Sequence, residues 1–364
     1  MFRARYRVRN AVGWSAYSPV TLTRAARRPA APILPPVFTA ATSTTMSVAL
    51  TFSEDNGGAP ITRHELWIDD GALGIFQPVN SYGGASRGFT IEQSSEAFLV
   101  TGLIYRVKSL AVNEVGPSDF SAATSIALAD LPSQANAPAK IVALSTQTKF
   151  VLTWAPAAST DSPGGGVTGY RLEMDDGLGG DFEIIYNGFN APSLTSYIVG
   201  GSAGSHSVVE GRAYRFRLAA RAFNGLGATS PVSVLYACTL PQSQPAPRLF
   251  SVAPESMVVE WGPPLHNGAC PLTGFALYAD DGASGVLTAV PGMATDVPTT
   301  RQASLVLTAS DLGKTFTVQV VVSNREGTTS SPRASFLFAV EPSQPASGPQ
   351  ILTTSSTQIN VRFD

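Results

Sequence analysis

The chain has 364 residues, a formal net charge of −2 and only 14% charged residues, a balance that argues against binding nucleic acid or an anionic membrane through bulk electrostatics. Hydrophobic residues amount to 44%, enough for packed cores, yet no run of about 18 apolar residues is present to span a bilayer. The length admits several domains rather than one.

The first element, FRARYRVRN, alternates from Phe2 to Asn10 and lacks the apolar core of a signal peptide. It is the first of four copies of one strand-and-turn motif ending in Asn-x-x-Gly: Phe2 to Gly13, Tyr105 to Gly116, Phe216 to Gly227 and Phe316 to Gly327. Every second residue from the aromatic onward is apolar or small, the period of a half-buried strand. A second landmark is an alternating strand ending on a large aromatic, at Phe52, Trp154, Trp261 and Phe363, with spacings of 102, 107 and 102 residues. The Asn landmarks are 103, 111 and 100 apart. Two landmarks drifting together mean that a whole unit of about a hundred residues is copied.

A third landmark closes the next strand on Asp-Asp-Gly, at Asp69–Gly71, Asp175–Gly177 and Asp280–Gly282. Asp-Gly after an alternating strand predicts a turn, because glycine accepts positive φ. One acidic pair falls short of the six to eight oxygens calcium takes. Adjacent strand side chains also point to opposite faces, which does not suit a pair of glycosidase carboxylates.

Taken in order, the aromatic-ended strand, the Pro/Gly loop, the strand to Asp-Asp-Gly and the strand to Asn-x-x-Gly resemble fibronectin type III repeats over essentially the whole chain. The resemblance implies an all-β fold: tandem seven-stranded antiparallel β-sandwiches joined by short proline-rich linkers. It places Trp154 and Trp261 at the core tryptophan, with Phe52 and Phe363 as aromatic substitutes. Tyr105 matches the tyrosine-corner position, where Phe2, Phe216 and Phe316 lack the hydroxyl. The family's Arg-Gly-Asp does not occur, so adhesion by that route is not implied.

Proline-rich stretches mark the boundaries and favour extended, stiff joints. They divide the chain into the C-terminal part of one unit (1–28), full units at 29–130, 131–239 and 240–340, and the N-terminal strands of a further unit (341–364). A lone pair of strands cannot bury a sheet face, so the 364 residues are expected to be a window on a longer chain. The resemblance also places Cys238 and Cys270 near one joint, where an inter-domain disulfide and two separate apolar thiols both remain open. Ala129 and Ala59 stand at the matching positions elsewhere.

Candidate chemistry is sparse. His64, His206 and His266 share no metal-ligand spacing, and His64 stands where Tyr170 and Phe275 stand in other copies, which predicts a partly buried strand residue. Gly84–Gly88 and Gly200–Gly204 spell Gly-x-Ser-x-Gly, but within Gly/Ser-rich loop runs rather than on a strand-to-helix elbow. Gly313-Lys314-Thr315 lacks the glycine five residues earlier that a phosphate loop needs, and no Asn-x-Ser/Thr sequon occurs. No catalytic, cofactor, metal or small-molecule site is expected.

What varies between copies is the outer face of the third and sixth strands. In the first full unit Glu65 and Trp67 face out beside Arg106, Lys108, Leu110 and Val112; in the second, Arg171 and Glu173 face Arg215, Arg217, Arg221 and Phe223. The charges suit cross-strand pairs. Trp67 with Leu110 and Val112 suits a protein contact patch, or else a face covered by a loop or by arginine stems. As a contact, Trp67→Ala would disturb assembly and spare melting.

The sequence thus predicts a non-enzymatic structural array, a rod-like spacer or filament subunit at the cell surface or outside the cell, partnered by copies of itself or other filament components. The alternatives are a receptor or adhesin ectodomain, accessory domains of a secreted enzyme, and an intracellular ciliary or cytoskeletal scaffold.

Overall fold

A computed structural model describes residues 1–157, 166–202, 206–341, 345 and 347–362. In chain order, a hairpin of β1 (Phe2–Ala4) and β2 (Thr21–Thr23) precedes β3 (Val37–Ala41), β4 (Thr45–Ala49), β5 (Ile61–Ile68), β6 (Gln77–Pro78), β7 (Gly88–Glu92), β8 (Ile104–Asn113), β9 (Gly116–Pro117) and β10 (Thr124–Ala127). The next group is β11 (Ala139–Lys140), β12 (Lys149–Thr153), β13 (Gly169–Met174), β14 (Glu183–Asn187), β15 (Ser196–Gly200), β16 (Ala213–Ala222), β17 (Gly225–Leu226) and β18 (Ser233–Tyr236). Then come β19 (Arg248–Ala253), β20 (Ser256–Glu260), β21 (Leu272–Ala279), β22 (Thr288–Ala289), β23 (Gln302–Val306), β24 (Thr315–Asn324), β25 (Gly327–Ser330), β26 (Ala334–Leu337), β27 (Gln350–Thr354) and β28 (Ile359–Arg362).

The pairing repeats. One sheet runs β3-β4-β7, then β11-β12-β15, then β19-β20-β23, while the other has its third and sixth strands at the centre: β10-β8-β5-β6, β14-β13-β16-β17 and β22-β21-β24-β25. Alternation drives each sheet to bury one face. In β4, Met46 and Val48 point inward and in β8 Tyr105 and Val107 do; with Leu66, Ile68 and Ile91 they form one core drawn from both sheets. Met257, Val259, Phe275, Leu277, Val318 and Val320 repeat it in the last full set. A sheet face on a sheet face is a β-sandwich.

By compactness the chain falls into two bodies, one of residues Met1–Ile141, Val151–His206 and Ala213–Leu235, the other of Val142–Phe150, Ser207–Arg212 and Tyr236–Asp364. The first holds the β1–β2 hairpin and the core around Met46. The second holds the core around Met257 and the β27–β28 hairpin.

Two landmarks sit two residues from where the sequence places them. Trp154 and Trp261 donate their backbone N–H to the carbonyls of Thr195 and Arg301, and the residue making the matching bond, to Arg87, is Leu50. Leu50 is therefore the counterpart of the buried tryptophans, and Phe52 lies one alternation further out, partly buried against the core. Likewise Gly225, not Gly227, has the φ of 146° that matches Gly116 (142°) and Gly327 (141°). The counterpart of Tyr105 is thus Tyr214, buried beneath Gly177 as Tyr105 is beneath Gly71, and Phe216 matches Val107. A slip of two keeps every side chain on its own face, so alternation alone cannot detect it. Phe363 lies outside the described residues.

Candidate functional site: joints and cationic faces

The Asp-Asp-Gly turns come first, because they connect the third strand to the sixth. The second aspartate makes a surface turn: Asp70 Oδ1 accepts from the N–H groups of Ala72 and Gly74 at 2.9 Å each, which holds its pKa low. Asp281 accepts from backbone and hydroxyl of Ser284 and is held at about 2. The first aspartate turns inward. Asp69, 0% exposed, accepts from Gly71 N–H, from Arg106 N–H at 2.8 Å and from Arg106 Nε at 2.7 Å. Asp175 and Arg215 repeat this at 2.8 and 2.7 Å, whereas Asp280 in the third full set accepts from the N–H groups of Gly282 and Thr317, with a threonine where the other copies have the arginine.

The aromatic pair beside each core also changes partners. Trp154 meets Tyr170 edge-on at 5.7 Å and Trp261 lies 6.2 Å from Phe275. His64 instead stacks on Phe52 at 3.7 Å and 12°. Burial holds the His64 imidazole below its ordinary pKa, and the Arg87 guanidinium, which also lies over Phe52, adds to this. His64 is a buried strand residue, and among the described residues no group of three or more His, Cys, Asp or Glu is placed to hold a metal.

The expected patch of Trp67, Leu110 and Val112 does not lie open. Leu110 and Val112 are 4% and 6% exposed, and Trp67 is half-buried, edge-on to Phe120 at 5.4 Å with Nε1 donating to Glu65. The segment after Gly116 runs back along β8, Ser118 and Ser121 each giving an N–H to β8 and taking one on their hydroxyls. This carries Phe120 onto the face, with Lys108 Nζ 3.7 Å from its ring and 3.8 Å from that of Phe76. Loop cover is a long-range event that no alternation within β8 announces. Trp67→Ala therefore acts on the sandwich itself. On the next sandwich Arg215 and Arg217 lie over Phe182 and Arg221 over Phe189, with Glu173 bridging Arg171 and Arg217.

The joints are the second recurring construction. Asn113, which closes β8, uses its Oδ1 on the N–H groups of Val115 and Gly116. Its Nδ2 donates to the carbonyls of Arg27, in the incoming linker, at 2.7 Å and of Asn56 at 2.9 Å. Asn324 repeats this on Thr239 and Asn267 at 2.8 and 2.9 Å. Asn224, inside its turn because of the two-residue shift, reaches Ala127 and Ala129 instead. Gly57 and Gly268 let the linker pass: a Cβ there would stand 2.2 Å from the Arg27 carbonyl and 2.0 Å from that of Thr239. At the joint that Asn324 grips, Cys238 and Cys270 form a disulfide with Cα atoms 5.7 Å apart. The repeated asparagine is visible in the sequence as a turn residue; its grip on the linker is not, since the partners lie more than 80 residues away.

No family model matches the chain. It is 29% identical over 250 residues, 63% of this chain, to human Myomesin-2, and spans 15% of that protein's length. Among solved structures, the FN1–FN3 domains of chicken CNTN1 match 85% of this chain and 99% of theirs at 14% identity and a TM-score of 0.34. No helix among the described residues is long and apolar enough to cross a membrane. With a three-stranded and a five-stranded sheet in each full set, two-sheet cores and a buried aromatic, Tyr105, Tyr214 or Phe316, at the start of the sixth strand, the chain is a tandem array of fibronectin type III-like β-sandwiches.

Proposed function

We propose that this array is a non-enzymatic spacer, with repeating bodies at 29–130, 131–239 and 240–340, that works as a subunit of an extracellular or cell-surface filament through protein–protein contacts. The observation that carries this reading is the grip on the linkers. Among the described residues, the linkers entering 29–130, 131–239 and 240–340 are each hydrogen-bonded by the asparagine of the following sandwich, and one joint is also cross-linked. A linker fixed in this way resists bending, which a spacer needs and a flexible tether does not. The disulfide favours an oxidising compartment.

Electron microscopy of native material tests the reading. A regular fibre, with a repeat commensurate with sandwiches of about 30 Å estimated from strands of eight to nine residues, is expected. Solitary, freely bent beaded chains would overturn it and favour a receptor stalk.

A further inference from the structure

Each full sandwich ends its smaller sheet on a strand with one open side: β7, β15 and β23. An open side presents unpaired N–H and C=O groups, which another strand can take up unless the edge is protected. The three copies differ in that protection. On β23 the Arg301 carbonyl and the Leu307 N–H point to β20, so the groups of Gln302, Ser304 and Val306 point outward by alternation. On β7 the bonds of Arg87 and Gln93 to the neighbouring strand make Gly88, Thr90 and Glu92 the outward set. That edge is closed at both ends: the Glu92 carbonyl accepts from the N–H groups of Ser95 and Glu96, and the Gly88 carbonyl from the Ser86 hydroxyl. β15 runs into Gly200 and Gly201, whose φ of 76° and 68° breaks the extended line.

β23 has neither device. Gln302 to Thr308 include no charge, no proline and no glycine, and β23 pairs with β20 without a bulge. The outward backbone groups have no partner among the described residues, and Val306 is 87% exposed. All strands of this set, β19 to β26, are present, so the open edge belongs to the strand order itself. A cleft of about 290 Å³ borders it, lined by Leu305, Leu307 and Val290 together with Asp280, Asp281 and Asp311. Asp281 and Asp311 are held at about 2 by hydrogen bonds from Ser284 and Lys314, and Asp280 lacks the arginine that Asp69 and Asp175 have. Arg301 is in no ion pair among the described residues. Its guanidinium lies 4.5 Å from the Phe275 ring centroid and donates to the carbonyls of Pro298 and Thr300.

We propose that β23 pairs antiparallel with β23 of a second copy of this chain, about a two-fold axis at Ser304. In that register Gln302 faces Val306 of the second copy and Ser304 faces Ser304, so every outward N–H meets an outward carbonyl. Ala303 and Leu305 fall opposite each other on the core side and extend the apolar layer from one sandwich to the next. Arg301 falls opposite Leu307, with Cα atoms about 4.5 Å apart, at the acidic cleft of the other copy. One register thus completes both edges and brings a cation without a carboxylate to a surplus of carboxylates twice over. The inference names the contact for the filament-subunit reading and rests on it, yet it fails separately: a regular native fibre of chains that do not pair through β23 would leave the reading intact and sink this contact.

Sedimentation velocity of the 364-residue chain tests it, with an expected dissociation constant of about 10–100 μM for so small a contact. Ser304→Pro removes no bond to β20, because that N–H points outward, and Val306→Lys changes an exposed side chain. Both should keep the circular-dichroism spectrum and raise the dissociation constant at least about tenfold. Arg301→Gln should weaken the dimer and flatten its salt dependence. A short bismaleimide reads the register, since Cys238 and Cys270 are bonded to each other and do not react. Ser304→Cys should cross-link to itself across about 5.5 Å. Gln302→Cys, whose copies lie about 13 Å apart along the strand, should not, while Gln302→Cys mixed with Val306→Cys should. A wild-type chain still monomeric at about 1 mM, a dimer indifferent to both Ser304→Pro and Val306→Lys, or Gln302→Cys cross-linking to itself as readily as Ser304→Cys would each overturn the proposal.

Discussion

At the scale of single residues, the buried aspartates of the first two Asp-Asp-Gly turns show how one neighbour changes what a carboxylate costs. Asp69 and Asp175 are tolerated inside because an arginine and two backbone N–H groups satisfy them. Arg106→Met leaves the Asp69 charge without its cation; because the arginine is about a third exposed, the expected loss is about 2–3 kcal/mol rather than the full cost of breaking a buried pair. Hydrogen exchange should register it as lost protection in β5 and β8. His64 gives a pH dependence of known sign. Its folded pKa lies below the ordinary value of about 6.5, so the unfolded chain takes up the proton first. Stability is fully present above pH 6.5 and falls as the pH drops through the unfolded pKa toward the folded one. The thermal transition of the sandwich that holds His64 should therefore move down between pH 7.5 and pH 5, and His64→Phe, the residue at Phe275 in another copy, should remove the His64 contribution to the shift.

At the scale of elements, strands keep their period while turns and linkers decide where they begin and end. Gly57 and Gly268 carry φ of 68° and 76° with a linker carbonyl where a Cβ would stand. Gly57→Ala and Gly268→Ala should cost about 2–3 kcal/mol of local stability, the strain of positive φ plus the displaced carbonyl. The amides of Arg27 and Thr239, which donate to the carbonyls of these same glycines, should lose exchange protection. Gly292→Ala, also at φ of 76° but in open space, should show the backbone cost alone, about 1 kcal/mol.

At the scale of the molecule, the joints decide whether consecutive sandwiches behave as one mechanical piece. The Cys238–Cys270 bridge closes a loop with a sequence separation of 32 residues. Chain-entropy reasoning assigns such a loop about 3–4 kcal/mol. Cys238→Ser/Cys270→Ser should lower the melting temperature of the sandwich built on Met257 and Val259 and leave the sandwich built on Met46 and Val48 unchanged, as scanning calorimetry would resolve.

By itself the sequence determined the fold class, the repeat and the inward face of almost every strand. Period-two alternation in HELWI, FVLTW or MVVEW is a local consequence of which side chains can leave water. It left the register open by two residues, so Phe52 and Phe216 stood in for Leu50 and Tyr214 until strand pairing identified the counterparts. Tertiary structure alone decided that Leu110 and Val112 are covered, that Asn113 and Asn324 hold linkers rather than merely closing turns, and that Cys238 meets Cys270. The physical reason is range: burial preference is written into each side chain, but cover, clamps and cross-links depend on what the chain brings back from tens of residues away.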